Sequence, residues 1–442
     1  MNPSKSMIGE PDEALGAPNL KGSIGKEFAV SWRAMVVVVL GMWASSLPSY
    51  SIGAFIGPLS EEFGWSVTKI TGWSLAWSIG CIISAPIVGT LADRHGARRV
   101  ILTALFLLGV ALLAVSWFTD RIWLFYSGGF ALGVIGAATS AITYGRVVSS
   151  LFDRGLGTAL GLMSTGIGLG AVTGPKAMQA IIDAYGWRWA FAVEAILPLA
   201  ILPLLFLWLK EGQGRAATGS SRTDAEGISR ARAMRMPVFW VLSLGSILYG
   251  VCVGGVSVNL IPYLTSEGLT RSDAAAAAGL FGAATVIGRL GGGMIIDRVR
   301  IHAARLMALI LVGEGLAFIV LGAYGTTFLL LAIPVFGLAV GAEADCLAYC
   351  TVRIFGRRCF SSIFGVLGIM MLYLGTGVGP ILFSATQEYF SSYQTAFFAW
   401  SGIAFLAAPL FASVARVPFF GAVDPPGSIE KRPRADASSE LT

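Results

Sequence analysis

Long apolar runs separated by short polar links fill most of this chain. Twelve of them stand out, at 33–58, 70–92, 99–118, 121–146, 156–181, 187–209, 237–264, 273–296, 302–323, 326–350, 361–384 and 391–416. Each reaches the roughly 20 residues that a helix needs to cross a hydrocarbon layer about 30 Å thick. Uninterrupted apolar character predicts helices here, and the alternating ten-residue strands of a membrane barrel are missing from the pattern. Three stretches escape it. Residues 1–30 and 417–442 are polar tails, the second containing Pro425, Pro426 and Pro433, and 210–236 is a polar linker with Gly212, Gly214 and Gly219. The predicted organisation is a tail (1–30), a six-helix bundle (31–209), the linker (210–236), a second six-helix bundle (237–416) and a tail (417–442).

The two halves echo one another. The link Gly89-Thr90-Leu91-Ala92-Asp93-Arg94-His95-Gly96-Ala97-Arg98-Arg99 has a shorter version at Gly293-Met294-Ile295-Ile296-Asp297-Arg298, and Asp93 and Asp297 are 204 positions apart. Pro58 and Pro262 are also separated by 204, while Gly170 to Pro175 (GAVTGP) answers Gly375 to Pro380 (GTGVGP) at 205, as Tyr144 answers Tyr349. Four landmarks at nearly one offset imply a duplicated six-span unit. Two such units with a path between them are how an alternating-access carrier is built.

Composition agrees. The chain is 55% hydrophobic and 13% charged, against about 25% charged in an ordinary soluble domain. Its net charge of +6 would point to anionic partners in a soluble protein, but here position decides the meaning. Links on one side of the twelve spans, with the tails, carry 25 Lys and Arg, and the other side carries five. Positive charge accumulates on cytoplasmic links, so both termini are expected in the cytoplasm. Residues 1–30 hold Lys5, Lys21 and Lys26 but no apolar core, so no cleavable signal peptide is expected. The five cysteines have no metal-ligand pattern; Cys346 and Cys350 share a helix face as small packing residues. His95 and His302 both fall at the rim, no nucleophile–base spacing is visible and no phosphate-binding loop is present. An enzyme, a resident cofactor and a nucleic-acid partner are therefore not expected.

Residues 89–99 resemble, almost position for position, the loop between spans two and three of the major facilitator superfamily, and the likeness extends over roughly 33–416. Three features are similar to its monocarboxylate-porter and oxalate/formate-antiporter branch. These are Gly57-Pro58-Leu59 followed by Phe63-Gly64-Trp65-Ser66, then Gly157-Thr158-Ala159-Leu160-Gly161 with Gly166, Gly168, Gly170 and Gly186-Trp187-Arg188, and Arg289 in span eight. The resemblance implies an all-α integral membrane protein of twelve transmembrane helices in two bundles, residing in a cell membrane and monomeric because each chain holds its own pathway. It also implies that Asp93, Arg94 and Arg98, with Asp297 and Arg298 in the second half, act as gate latches.

Arg289 is the leading candidate for chemistry. It precedes Asp297 by eight residues, roughly 12 Å of helix, which places a guanidinium at a depth where it needs a cavity or a partner. In the resembled branch the matching arginine pairs with the substrate carboxylate, a task suited to its planar fork. Span one adds a strip of Trp43, Ser46, Ser49, Tyr50 and Ser51, from which Ser49 and Tyr50 join the candidate site, with Asn259 in span seven and Tyr349 in span ten. In the resembled architecture spans six and nine are peripheral, so of the acids in apolar runs Glu194 and Glu314 read as structural. The resemblance also implies that span ten, with Glu343 and Asp345, lines the path, and a buried carboxylate can carry a proton. The eukaryotic monocarboxylate carriers place a lysine in span one and an acid one turn before the arginine, where this chain has no lysine and Thr285; the antiporters place a lysine in span eleven, which is also missing. The expected function is secondary transport of an organic, monocarboxylate-type anion coupled to protons, with membrane lipid as surroundings. The alternative is an exporter, or a carrier of zwitterionic, peptide-like substrates.

Overall fold

Every apolar run folds as a helix, and most helices outlast their runs. The computed structural model describes residues 24–152, 156–209, 227–299, 302–356 and 359–417. Span one is Ile24–Phe63, span two Val67–His95 and span three Ala97–Phe118. Span four is broken into Ile122–Gly136, a 3-10 turn at Ala137–Thr139, and Ala141–Leu151. Spans five and six are Leu156–Tyr185 and Trp187–Trp208. A short helix, Arg230–Arg235, precedes span seven at Pro237–Ser266, followed by span eight at Arg271–Val299 and span nine at Ala303–Tyr324. Span ten is Leu329–Phe355, entered through a 3-10 turn at Gly325–Phe328. Span eleven joins Phe360–Gly368, a π segment at Ile369–Gly375 and Thr376–Phe390, and span twelve is Tyr393–Val414. The predicted edges fall short because hydropathy marks only the hydrocarbon layer, whereas a helix continues until its polar ends meet water or a cap.

The links stop helices by visible chemistry. Gly96 (φ 84°) and Gly186 (φ 88°) take positive φ between successive spans, a conformation open to glycine at little steric cost. The Ser66 side chain accepts a hydrogen bond from the Lys69 backbone N–H and caps span two.

Among the described residues, nine stretches are apolar and long enough to cross a membrane, and one of them, Ala303–Phe355, contains two successive spans. The remaining two spans, five and eight, are rich in glycine, alanine and polar residues. Large apolar side chains cover the outside: Leu330 is 80% exposed, Trp123 76% and Leu406 67%. Such a surface is stable against lipid and not against water. The described backbone contains no sheet, only an isolated bridge between Gly227 and Gly356. The chain is a multi-pass, all-α membrane protein of two six-helix bundles.

The sequence repeat reappears as a packing repeat. A Cβ at Gly133 of span four would stand 2.0 Å from the Trp77 carbonyl oxygen of span two, and one at Gly337 of span ten 2.5 Å from the Phe281 carbonyl of span eight. Both members of the contact are displaced by 204. Likewise Gly170 of span five meets Ser46 of span one, as Gly375 of span eleven meets Gly250 of span seven. In lipid, where no hydrophobic drive joins helices, such close backbone approach supplies the packing that does.

Candidate functional site

Span eight touches the first bundle along one stripe, and Arg289 is its next position. Gly279, Gly282 and Val286 lie against Val172, Ala171 and Gly168 of span five, at spacings of three and four that keep a single helix face. Three residues further the same face carries Arg289, half-buried and ten residues before Val299, or roughly 15 Å from that helix end. Among the described residues its guanidinium makes no ion pair or hydrogen bond. Its backbone is held from behind by span ten. A Cβ at Gly341 would come 2.5 Å from the Arg289 backbone nitrogen, and one at Gly288 2.2 Å from the Leu338 carbonyl oxygen. Gly288 thus serves helix approach, while a Cβ at Gly291 would meet open space.

Span one answers from the first bundle. Gly57 faces the Arg271 guanidinium and Gly53 the Val258 carbonyl. One turn back, Tyr50 lies within range of the Arg289 charge, with exposed Ser49 beside it. Trp43 donates its Nε1–H to Thr173 Oγ1 at 3.0 Å, tying span one to span five.

Away from the basic links the bundles are closed. Arg271 pairs with Glu61 across them, the Thr68 N–H donates to Glu388 at 2.8 Å, Thr71 donates to Ser384 at 3.2 Å, and Gly377 sits on Ser78. Toward the basic links, Gly161 of span five and Gly89 of span two continue the contact stripes, and a Cβ at either would meet nothing within 4 Å. The molecule therefore opens toward its basic side, with Arg289 at the head of the opening.

The other expected site residues are spread along this path. Asn259 is 1% exposed; its amide donates to the carbonyls of Gly255 at 2.9 Å and Pro380 at 3.3 Å and accepts from Ser384 at 2.8 Å, bracing spans seven and eleven. Tyr349 is half-buried, with the Arg353 guanidinium 5.1 Å from its ring centre near the basic rim. Glu343 is buried within the second bundle. Arg94 is exposed at the end of span two. Arg98 donates to the Phe206 carbonyl at 2.6 Å, in the last turn of span six, and Arg146 to the Gly89 carbonyl at 3.2 Å. The first of these sets a cation at a helix C-terminus, which is favourable, and both bonds stay inside the first bundle. The side chains of Asp93, Asp297, Arg298 and Asp345 lie outside the described part of the structure.

Sequence reasoning missed the closing latch, because Glu61 and Arg271 are 210 positions apart and each reads alone as a solvated link charge. Exposed ion pairs contribute about 0–1 kcal/mol, so Glu61→Gln is expected to raise the population open on this side by up to a factor of about five. Spin labels at Ser66 and Ser391 would report it as added weight at long separation. A distance distribution identical to the wild type would rule the latch out.

The structural arrangement matches known proteins. A model of the Major Facilitator Superfamily matches residues 38–380. The chain belongs to that superfamily. Among its relatives, "MFS transporter asaE" of Aspergillus flavus is 25% identical over 390 residues, covering 86% of each chain. Human "Monocarboxylate transporter 11" is 26% identical over 344 residues, 75% of this chain and 72% of that one. A crystal structure of a bacterial homologue of the human lysosomal transporter Spinster, inward-facing and occupied, superposes with a TM-score of 0.72 over 90% of this chain and 98% of that chain, at 15% identity. Matches fall in several branches of the superfamily, so the monocarboxylate-porter and oxalate/formate branch suggested by the loop motifs is not singled out. Those motifs serve the shared fold: Gly186 makes the turn into span six and Gly170 packs on span one. This superfamily member is a secondary transporter of small organic solutes, and the relatives and solved neighbours are transporters rather than enzymes. No group of three metal-ligating side chains occurs among the described residues.

Proposed function

We propose that the chain carries a small organic anion of monocarboxylate type, one substrate at a time, by alternating access coupled to protons. The observation that carries this reading is Arg289, presented at the head of the opening on the face that otherwise contacts the first bundle. A guanidinium fork suits a carboxylate, and in this reading the Tyr50 hydroxyl and Ser49 take a second polar group of the substrate. Tyr349 would line the exit, and Asn259 would act by bracing the helices around it. Glu343 and Asp345 are the proton carriers in this reading. Asp93, Arg94 and Arg98, with Asp297 and Arg298, would close the basic side when the opposite side opens. The 25-to-5 distribution of basic residues supports a cytoplasmic position for that side and for both termini. Each monomer contains a complete path, with lipid as its surroundings.

Counterflow in liposomes tests the substrate class. Purified protein loaded with unlabelled pyruvate or benzoate is expected to exchange the labelled compound, and alanine-loaded vesicles are expected to show no exchange. Exchange of the zwitterion without exchange of either carboxylate would overturn the reading.

A further inference from the structure

Inside the first bundle, a hydroxyl and a carboxyl group meet with one hydrogen too few. Glu194 of span six and Ser51 of span one are both 0% exposed and hydrogen-bonded to each other. The Ser51 Oγ also lies 2.8 Å from the Leu47 carbonyl oxygen, one turn back on its own helix. A serine hydroxyl has a single hydrogen to donate. If that hydrogen goes to Leu47, the one between Ser51 and Glu194 has to come from the carboxyl group. If it goes to Glu194, two oxygens face each other at 2.8 Å with no hydrogen between them. The second carboxyl oxygen, Oε2, has no hydrogen-bond partner among the described residues. A neutral acid donating to Ser51 satisfies both contacts, whereas a buried carboxylate with one contested donor does not. The geometry therefore calls for a proton on Glu194, a residue that reads from sequence as a structural acid on a peripheral span.

Among the described residues no cation pairs with Glu194. Span six packs on spans one, three and five. Span one has no Asp, Glu, Lys, Arg or His between Arg33 and Glu61, and span three has none between Arg99 and Phe118. Tyr50, beside Ser51, lies within range of the Arg289 charge. On span five, Lys176 is exposed and Asp183 accepts from the Gln179 amide at 2.7 Å. On span six, Arg188 pairs with Glu62 at the outer end. One turn toward that end, Phe55 and Phe191 close over the pair with ring centres 4.1 Å apart. One turn the other way stand Pro48 and Pro198. Each removes an N–H from its helix ladder, so the carbonyls of Ala44 and Glu194 lose their usual donor and both helices bend most easily at this level.

We propose that Glu194 is a proton-binding site of the carrier, protonated while the molecule opens toward its basic side and ionised once span one has moved relative to span six. This rests on the carrier reading above and adds a site in the first bundle to the acids of span ten. The proton is taken from water and returned to water, and no bond of the substrate changes. Losing it in place would leave a bare charge between two apolar helices. That cost falls when the helices part and water reaches the carboxylate, so proton loss favours the rearranged state. Span one also carries Ser49 and Tyr50, so its movement reaches the substrate side of the bundle. Proton occupancy and carrier state thereby bias each other, and by equal factors.

Infrared titration of the purified protein in nanodiscs reads the site without any substrate. The difference between wild type and Glu194→Gln is expected to contain a protonated-carboxyl C=O band that vanishes as the pH is raised. In Ser51→Ala, which keeps the acid and removes its acceptor, that band should remain but move in frequency, which also guards against misfolding of the glutamine variant. A difference spectrum without the band overturns the proposal. A band that survives at every pH makes Glu194 a structural acid and overturns it equally. Spin labels at Ser66 and Ser391 read the consequence. Raising the pH should add weight at long separation in the wild type. Glu194→Gln, whose amide N–H replaces the acid as donor to Ser51, should keep the low-pH distribution throughout. A variant that follows the wild type with pH overturns the coupling. Failure of wild-type pyruvate counterflow overturns the carrier reading instead, and both readouts of the proton stand without it.

Discussion

Arg289→Ala is expected to abolish carrier-mediated exchange of carboxylates while leaving the protein folded. Truncating one partner of a desolvated, hydrogen-bonded charge pair costs about 2–5 kcal/mol, which is roughly thirtyfold to several thousandfold in affinity. The other partner here would be the substrate, so the loss falls on transport. No ion pair or hydrogen bond among the described residues is broken by the change, and a half-buried cation at this depth is a burden on the free protein. The melting temperature should therefore hold or rise. Arg289→Lys keeps the charge but not the two-pronged fork, so its exchange should fall between the two. Equal exchange in Ala and wild-type vesicles would remove Arg289 from the substrate site. A collapse of folding in Ala would make it a structural residue.

Gly337→Leu is expected to prevent assembly of the second bundle, and Gly133→Leu to do the same to the first. At these positions a Cβ would stand 2.5 Å from the Phe281 carbonyl oxygen and 2.0 Å from that of Trp77, and a helix backbone cannot swing aside as a flexible side chain can. Inserting even a methylene into a packed core costs about 1–3 kcal/mol. A whole isobutyl group between touching helices should exceed the roughly 4–5 kcal/mol that marks an exceptional substitution. Gly402→Leu is the control, because a Cβ there meets nothing within 4 Å. Yield of monodisperse protein and thermal melting in detergent separate the three. Native-like melting of either seam variant would refute the packing account.

The fold was legible because the membrane simplifies the code. Length and apolarity alone predict a spanning helix, and a duplicated landmark such as Pro58 and Pro262 reports a duplicated bundle. The duplication was even finer than the landmarks implied: the Gly133–Trp77 contact and its copy Gly337–Phe281 share the same offset. Helix edges were less legible, since polar ends such as Glu27 on span one carry helix outside the apolar window. The site divided in the same way. Arg289 was visible because a cation in an apolar run contradicts its surroundings. Glu314 was visible for the same reason, but that neither of its oxygens meets a hydrogen-bond partner among the described residues shows only in the fold. Asn259 looked like a polar group available to a ligand, and only three-dimensional packing reveals that Gly255, Pro380 and Ser384 occupy its amide. No periodicity encodes such long-range partnerships.

The closed seam between the bundles is built largely from small residues: Gly279 on Val172, Gly282 on Ala171, Gly377 on Ser78. Small residues release little apolar area when they part, at about 25 cal/mol for each Å² wetted. Separating the seam thus lacks the steep penalty that a bulky apolar plug would impose, and its flat surfaces can meet again without side chains having to find their rotamers. A seam of this kind keeps the free-energy difference between two access states small, so that the modest free energy of a bound solute is enough to tip the balance in either direction.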